Sequence, residues 1–289
     1  MDVGRGIADI TGEVADVGLM GYGRADQQAA GLHTRLRARA FVLDDASTRL
    51  LLVVCDLPLV FDSVYRAVLG RLRSSYDGAY TEANTLVTGT HTHCGPGGYS
   101  HHRLYNMTTH GFHPKTFAAI VDGICEAVDR AHDDASPTEV GLARGELRDA
   151  NVNRSRESFE RNPLSDKSFF PEAIDPQTTV LAFRREGRLV GAIDFFATHG
   201  TSMTGDNRLV SADNKGYAGW YAERVTGGVD YLTPRPEDVV FAFANTNAGD
   251  MSPNLRGAPG RGPTDDDVEN TRVIGRRQHD AALGLLAET

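Results

Sequence analysis

The feature that most restricts the fold is a set of short apolar runs that alternate with helix-patterned segments. The runs are ARAFVL from Ala38, LLLVVCD ending at Asp56, NTLVTGTH running to His91, TTVLAF from Thr178, LVGAIDFFATH ending at His199 and DVVFAFANTN ending at Asn247. Each reads as a strand. The helix candidates are SVYRAVLGRLRSSY from Ser63, KTFAAIVDGICEAVDRAHDD from Lys115, NKGYAGWYAERV from Asn214 and a final NTRVIGRRQHDAALGLLAE. The alternation predicts an α/β fold, a sheet flanked by helices. REGR, Arg185 to Arg188, predicts a hairpin turn, so the sheet is expected to be mixed rather than purely parallel.

Composition bounds the function classes. With 289 residues the chain can form one large domain or two small ones, and no stretch approaches the roughly 20 apolar residues of a membrane helix. The net charge of -9, 30 basic against 39 acidic residues, comes without a dense Lys/Arg cluster, so nucleic acid is not an expected partner. Three cysteines without CxxC spacing indicate neither a disulfide framework nor a cysteine zinc knuckle, and Cys55 and Cys125 fall inside apolar runs as buried spacers. The start, MDVGRGIADITGE, lacks the basic-then-apolar pattern of a secretory signal. A cytoplasmic protein, or one whose signal lies outside this sequence, is expected. No internal repeat is found. Three long irregular stretches, Gly95 to His113, Asn151 to Pro176 and Ser252 to Asp267, are expected to be functional or mobile loops.

The polar residues gather at the ends of the strand candidates, where ligands collect in open α/β sheets. In GTHTHCGPGG, Gly89 to Gly98, residues i and i+2 of an extended strand share a face, so His91 and His93 could chelate one metal, with Cys94 a further candidate. The glycines after them allow a sharp turn and close approach to a ligand. His101, His102 and His110 in the next loop are weaker ligand candidates. His199, in ATHGTSM, is placed to partner His91. Arg154, in NRS, could hold a carbonyl or oxyanion with its planar fork. NTNAGDMSPN, Asn245 to Asn254, could present Ser252 as a nucleophile or a polariser, although this is not a GxSxG elbow.

Taken in order, ADITGE, GLMGY, AAGLHTRLRARAF, TGTHTHCGPGGYSHHRLYN, NVNRS, THGTSM, DNKGYA, FANTNAGDMSPN and GRGPTDDDVENTRVIGRRQ resemble the amino-terminal catalytic domain of the neutral ceramidase family along almost the whole chain. The resemblance implies zinc-dependent hydrolysis of the amide bond of ceramide to sphingosine and a fatty acid. It implies histidine ligands at His91 and His199, and a substrate-side role for His93, which hydrogen-bonds or moves a proton. Arg154 falls near the reacting carbonyl and Ser252 on the family's essential serine. Two roles stay open for Ser252, direct attack or orienting a water.

The same resemblance assigns residues 1–289 to the front portion of the catalytic domain. The family completes its zinc sphere with a glutamate and a tyrosine from further along, and it carries a carboxyl-terminal immunoglobulin-like domain; neither is expected within this sequence, which ends at Thr289. Cys94 stands where relatives commonly have serine. An extracellular or cell-surface location and peripheral contact with a membrane are implied. Two alternatives remain: a chain that binds lipid or a partner without turnover, and an amidase acting on another N-acyl lipid.

Overall fold

In the computed structural model, which describes residues 1–289, the chain opens with β1 (Asp2–Asp9), β2 (Ala15–Met20), β3 (Gln28–Leu32), β4 (Arg37–Asp44) and β5 (Arg49–Cys55). Helix α1 (Asp62–Ser75), β6 (Thr85–Gly89), the two-residue β7 (Gly95–Pro96) and helix α2 (Pro114–Asp133) follow. Next come β8 (Ser136–Pro137), β9 (Glu139–Glu146), β10 (Val152–Asn153), the single-turn helices α3 (Arg156–Phe159) and α4 (Leu164–Lys167), and then β11 (Gln177–Arg185), β12 (Arg188–Phe196) and β13 (Leu209–Val210). The chain closes with α5 (Asp213–Trp220), β14 (Val240–Asn245), β15 (Met251–Ser252) and α6 (Asp267–Leu286).

The expected mixed α/β architecture is present, built on two mixed sheets. One has the order β6-β5-β4-β1-β8 and the other β14-β12-β11-β9. Within the first, β5 and β6 run parallel while β4 and β5 run antiparallel; within the second, β12 and β14 run parallel while β11 and β12 run antiparallel. The REGR turn joins β11 to β12 with Glu186 at φ 50° and Gly187 at φ 74°, the paired left-handed conformation of a tight hairpin.

Side-chain alternation shows how the layers stack. Leu51, Val53 and Cys55 of β5 pack with Val64, Val68 and Leu72 of α1 and with Ile120 and Ile124 of α2. Leu52 and Val54, on the opposite face, pack with Val190, Ile193 and Ala242 of the other sheet. Phe241 and Phe243 of β14 then turn outward to Ala218 of α5 and to Ala282 and Leu285 of α6. The order of layers is therefore helices, sheet, sheet, helices. Strands covered on both faces are apolar throughout, which is why their runs stand out in the sequence.

The two sheets meet at a seam near the carboxyl ends of β6, β12 and β14. Thr92 bridges Gly200 in parallel fashion, and Asn245 Nδ2 donates to Thr90 O at 2.8 Å. Behind the seam, Lys215 is 1% exposed, and its ammonium donates to Phe196 O (2.9 Å), Ala244 O (3.1 Å) and Gln278 Oε1 (3.0 Å). These three acceptors satisfy a buried charge that would otherwise be costly, and they clasp the ends of β12 and β14 together. The helix predicted from Asn214 begins at Asp213 and widens into a π-helical stretch over Tyr221–Thr226.

Gly200 is needed at the seam for its lack of a side chain. A Cβ there would lie 2.4 Å from His91 O and 2.7 Å from Thr92 Cα, both backbone atoms. Gly200→Ala is expected to destabilise the protein by about 2 kcal/mol or more through overpacking. It should also weaken metal retention, because His91 must move. Chemical denaturation and metal analysis of the variant check this, and unchanged values in both would contradict the packing described.

Candidate metal centre at the seam

The first strand-end segment does not follow the extended geometry expected of THTH. Strand β6 ends at Gly89, and His91 has φ 67°, in the left-handed region. A non-glycine residue there costs about 1–3 kcal/mol and persists only where its surroundings hold it. The chain is held by His91 N donating to Leu57 O (3.0 Å) and His93 N donating to Gly200 O (2.9 Å). The turn, rather than strand alternation, brings the two rings together, with 3.1 Å between their Nε2 atoms.

His199 joins them from the other sheet, its ring centroid 4.8 Å from that of His91 and 5.7 Å from that of His93. One nitrogen from each of the three histidines lies within 4.8 Å of the others. The spacing suits a divalent metal, since bonds of about 2.0–2.1 Å at tetrahedral angles separate donor nitrogens by ~3.3 Å.

Hydrogen bonds distinguish the three rings. His91 Nδ1 donates to Pro58 O at 2.7 Å, and His199 Nδ1 donates to Met251 O at 3.1 Å. Each ring therefore presents Nε2 as a lone pair with its tautomer fixed, the outer-shell arrangement typical of metal-binding imidazoles. His93 has no such anchor. With His91 Nε2 as acceptor, His93 Nε2 is the donor between them, and His93 Nδ1 is buried without a partner. The residues fit a metal ion, with two anchored rings and a third, His93, that no carbonyl holds.

Burial keeps His93 and His199 neutral. It pushes the His93 imidazole down to about 3, aided by His91, His199 and Arg154, and the His199 imidazole down to about 4, aided by Arg154 and His91. Both are then neutral imidazoles at neutral pH, each with one nitrogen lone pair free, as metal ligation requires. The linkage has a definite sign. An unfolded histidine takes up a proton near pH 6.5 while these two do not, so the unfolded state binds more protons as pH falls from about 6.5 towards 4. Metal-free protein is expected to lose stability across that window. His93→Asn should flatten the fall; identical urea midpoints against pH for both proteins would contradict it.

Ser252 and Arg154 reach the same place through the short ladder of β10 and β15, in which Val152 pairs with Ser252. Met251, one residue before Ser252, receives both the backbone N–H of His199 (3.0 Å) and its Nδ1–H. Ser252 is buried, and its Oγ accepts from Asn254 N at 3.2 Å, which leaves the hydroxyl proton available. Arg154 is tied to the segment leading into Ser252, through N to Asp250 O (2.9 Å) and Nη2 to Gly249 O (2.8 Å). Five of the residues singled out in the sequence, His91, His93, His199, Arg154 and Ser252, thus gather at this seam.

Other candidates do not join them. Cys94 is fully buried outside the histidine cluster, and burial raises its thiol far above the usual range, so it offers no thiolate. His101 and His102 are exposed, while His110 contacts Ala25 O at 2.9 Å. Residues the sequence did not single out complete the surroundings. Tyr22 packs edge-on against His93 with ring centroids 4.9 Å apart, and a Cβ on Gly21 would meet His93 Cγ at 2.4 Å. Asn214 Nδ2 donates to His199 O at 2.9 Å. Only their places in GLMGY and DNKGYA marked them, since a glycine, a tyrosine and an asparagine carry no metal-ligand signal.

The family model described as neutral/alkaline non-lysosomal ceramidase, N-terminal, matches residues 1–289. The chain belongs to the neutral/alkaline non-lysosomal ceramidase family. Among relatives, it is 54% identical over 293 residues to a neutral ceramidase of Mycobacterium tuberculosis, covering 99% of this chain and 46% of that protein. It is 48% identical over 288 residues to a neutral ceramidase of Pseudomonas aeruginosa, covering 99% of this chain and 42% of that one. A solved ceramidase complexed with C2 superposes with a TM-score of 0.92 at 46% identity, over 99% of this chain and 44% of that structure. The crystal structure of the neutral ceramidase from Pseudomonas aeruginosa gives a TM-score of 0.90. The chain therefore spans less than half the length of these neutral ceramidases, with the two-sheet body and the histidine cluster inside the shared part.

Proposed function

We propose that the protein is an amidase that hydrolyses the N-acyl bond of ceramide, giving sphingosine and a free fatty acid, with zinc as its metal. The observation that carries the reading is the convergence of His91, His93, His199, Arg154 and Ser252 on one seam in a chain of this family. When bound, zinc supplies Lewis acidity, which polarises an amide carbonyl and acidifies water. His91 and His199 hold it through Nε2, because their Nδ1 protons are committed to Pro58 O and Met251 O. The further ligands that the family resemblance implies, a glutamate and a tyrosine, would lie outside residues 1–289 in this reading.

The remaining residues divide the work of acyl transfer. His93, neutral and carrying an unpartnered Nδ1, takes a proton from the nucleophile and returns it to the departing amine nitrogen. Arg154 steadies the negative charge developing on the carbonyl oxygen with its planar donor fork. Ser252 Oγ serves as nucleophile or orients the attacking water.

No helix is long and apolar enough to cross a membrane. Large apolar side chains nonetheless stand out on the segments that follow His93 and Arg154: Leu104 (74% exposed), Met107 (64%), Leu164 (81%) and Phe169 (79%). These tips support peripheral contact with a lipid surface, from which an insoluble substrate is drawn. An extracellular or cell-surface location goes with this reading, and secretion of the full reading frame tests it.

Incubation of the protein purified from its full reading frame with acyl-labelled ceramide tests the whole. Fatty acid release that stops on chelation and returns with zinc is expected. Undiminished turnover in metal-stripped protein contradicts the metal role. Ceramide binding without turnover by zinc-loaded protein favours the lipid-binding alternative. Preference for simpler N-acyl amines redirects the substrate.

A further inference from the structure

A second concave site lies away from the histidine cluster, between the β3–β4 connection and helices α5 and α6. Its cavity of about 650 Å³ includes four arginines, Arg35, Arg37, Arg39 and Arg272, and no acidic side chain in its wall. That volume falls within the range of about 300–1,000 Å³ typical of small-molecule sites. The protein as a whole is acidic, with a net charge of -9, so a wall of this sign is a local arrangement.

The arginines are not equally engaged. Arg39, the buried member of the wall, is fully committed: Nε and Nη2 grip Glu223 at 2.8 and 3.0 Å, and Nη1 reaches Asp56 at 3.1 Å. Exposed Arg35 pairs with half-buried Asp9 at 3.0 Å. Arg272 stands 3.7 Å from Glu269, beyond hydrogen-bond reach. Arg37 is half-buried, and its guanidinium lies 3.5 Å over the ring of Tyr231 while donating to no carboxylate or carbonyl. The charges of Glu223 and Asp9 lie near this guanidinium, but no hydrogen bond offsets its desolvation. Opposite stand Tyr217 and Trp220, their rings 5.4 Å apart, as an apolar wall.

We propose that this cavity binds a phosphate ester, its phosphoryl oxygens bridging Arg37 and Arg272 and its organic portion lying against Tyr217 and Trp220. Two guanidinium groups that lack a tight partner suit a dianion with several acceptor oxygens, and the arginine fork matches phosphate geometry with paired hydrogen bonds. The source of the phosphoryl group is either a soluble ester or a lipid headgroup. The site is independent of the amidase chemistry, since none of its residues belongs to the histidine cluster.

Trp220 is the single tryptophan of the chain, so its fluorescence reports on this cavity alone. Purified protein is titrated with phenyl phosphate, with inorganic phosphate, and with vesicles of phosphatidylglycerol or phosphatidylcholine. A saturable change in emission with phenyl phosphate is expected, and Arg37→Met should weaken it about tenfold or more. Arg272→Met, at a more exposed position, serves as a second variant if Arg37→Met fails to fold as judged by circular dichroism. Saturation by either phosphate in solution assigns a soluble ligand, and a response confined to phosphatidylglycerol vesicles assigns a lipid headgroup; both support the site. No saturable change with any probe, or equal binding by folded variants, overturns it.

Discussion

His199→Ala is expected to release the metal and to lower ceramide turnover by at least about three orders of magnitude. Losing a mere outer-shell partner of a metal ligand costs about 10–100-fold, and removing the ligand itself costs more. The substitution removes the only imidazole that the second sheet contributes, and it leaves Met251 O without its Nδ1–H donor. Because His199 is buried, the variant should also be less stable, so folding is followed in parallel by circular dichroism. Metal content after dialysis and acyl release from ceramide are the measurements. Full metal occupancy with turnover within tenfold of the unmodified protein would remove His199 from the centre. His110→Ala, in a loop outside the cluster, should change neither quantity.

Ser252→Ala should produce a loss of similar size by a different route. Turnover is expected to fall about 10³-fold or more, as for groups that act as a nucleophile or position one, while metal content stays full. The structural cost is small, because the hydroxyl accepts a single hydrogen bond, from Asn254 N, worth about 1 kcal/mol. Loss of turnover with retained metal and near-normal stability separates Ser252 from the ligands. Trapping an acyl group on Ser252 in the unmodified protein would assign direct attack, whereas turnover without any acylated serine would assign the water-orienting role. Turnover close to normal in Ser252→Ala would exclude both.

Legibility in the sequence followed burial. Strands β4, β5, β11, β12 and β14 lie between two layers, and their apolar runs were visible without any structure. Strand β1 was not, although it pairs with all of β4. Its sequence DVGRGIAD carries glycines where α2 packs directly on the backbone: a Cβ at Gly4 would meet Ala131 O at 1.8 Å, and one at Gly6 would meet Ala127 O at 2.1 Å. Close approach replaced side-chain packing there and erased the apolar pattern. Strand β9, EVGLARGE, is an edge strand with Val140 and Leu142 exposed, and it lacks a pattern for the complementary reason.

The site was legible by residue type and only partly by geometry. Histidine at strand ends pointed to His91, His93 and His199, but the THTH spacing implied an extended segment, and a left-handed residue cannot be read from a histidine codon by codon. The anchoring carbonyls of Pro58 and Met251 were invisible, since any residue supplies one. Nor does a motif announce a second sheet: the sequence indicates a mixed sheet with helices, and the pairing of two such sheets follows from which alternate residues face each other across the interior.

That pairing has a consequence for the order in which the protein matures. His91 and His93 belong to the first sheet, while His199 and Ser252 arrive with the second, more than 100 residues later in the chain. Contacts so distant in sequence form late, after loop closure has been overcome. A nascent chain that has folded only its first half holds neither a complete set of imidazoles nor the serine beside them. On the proposed function, metal capture and amide cleavage would therefore be withheld until synthesis has passed Ser252 and the halves have docked.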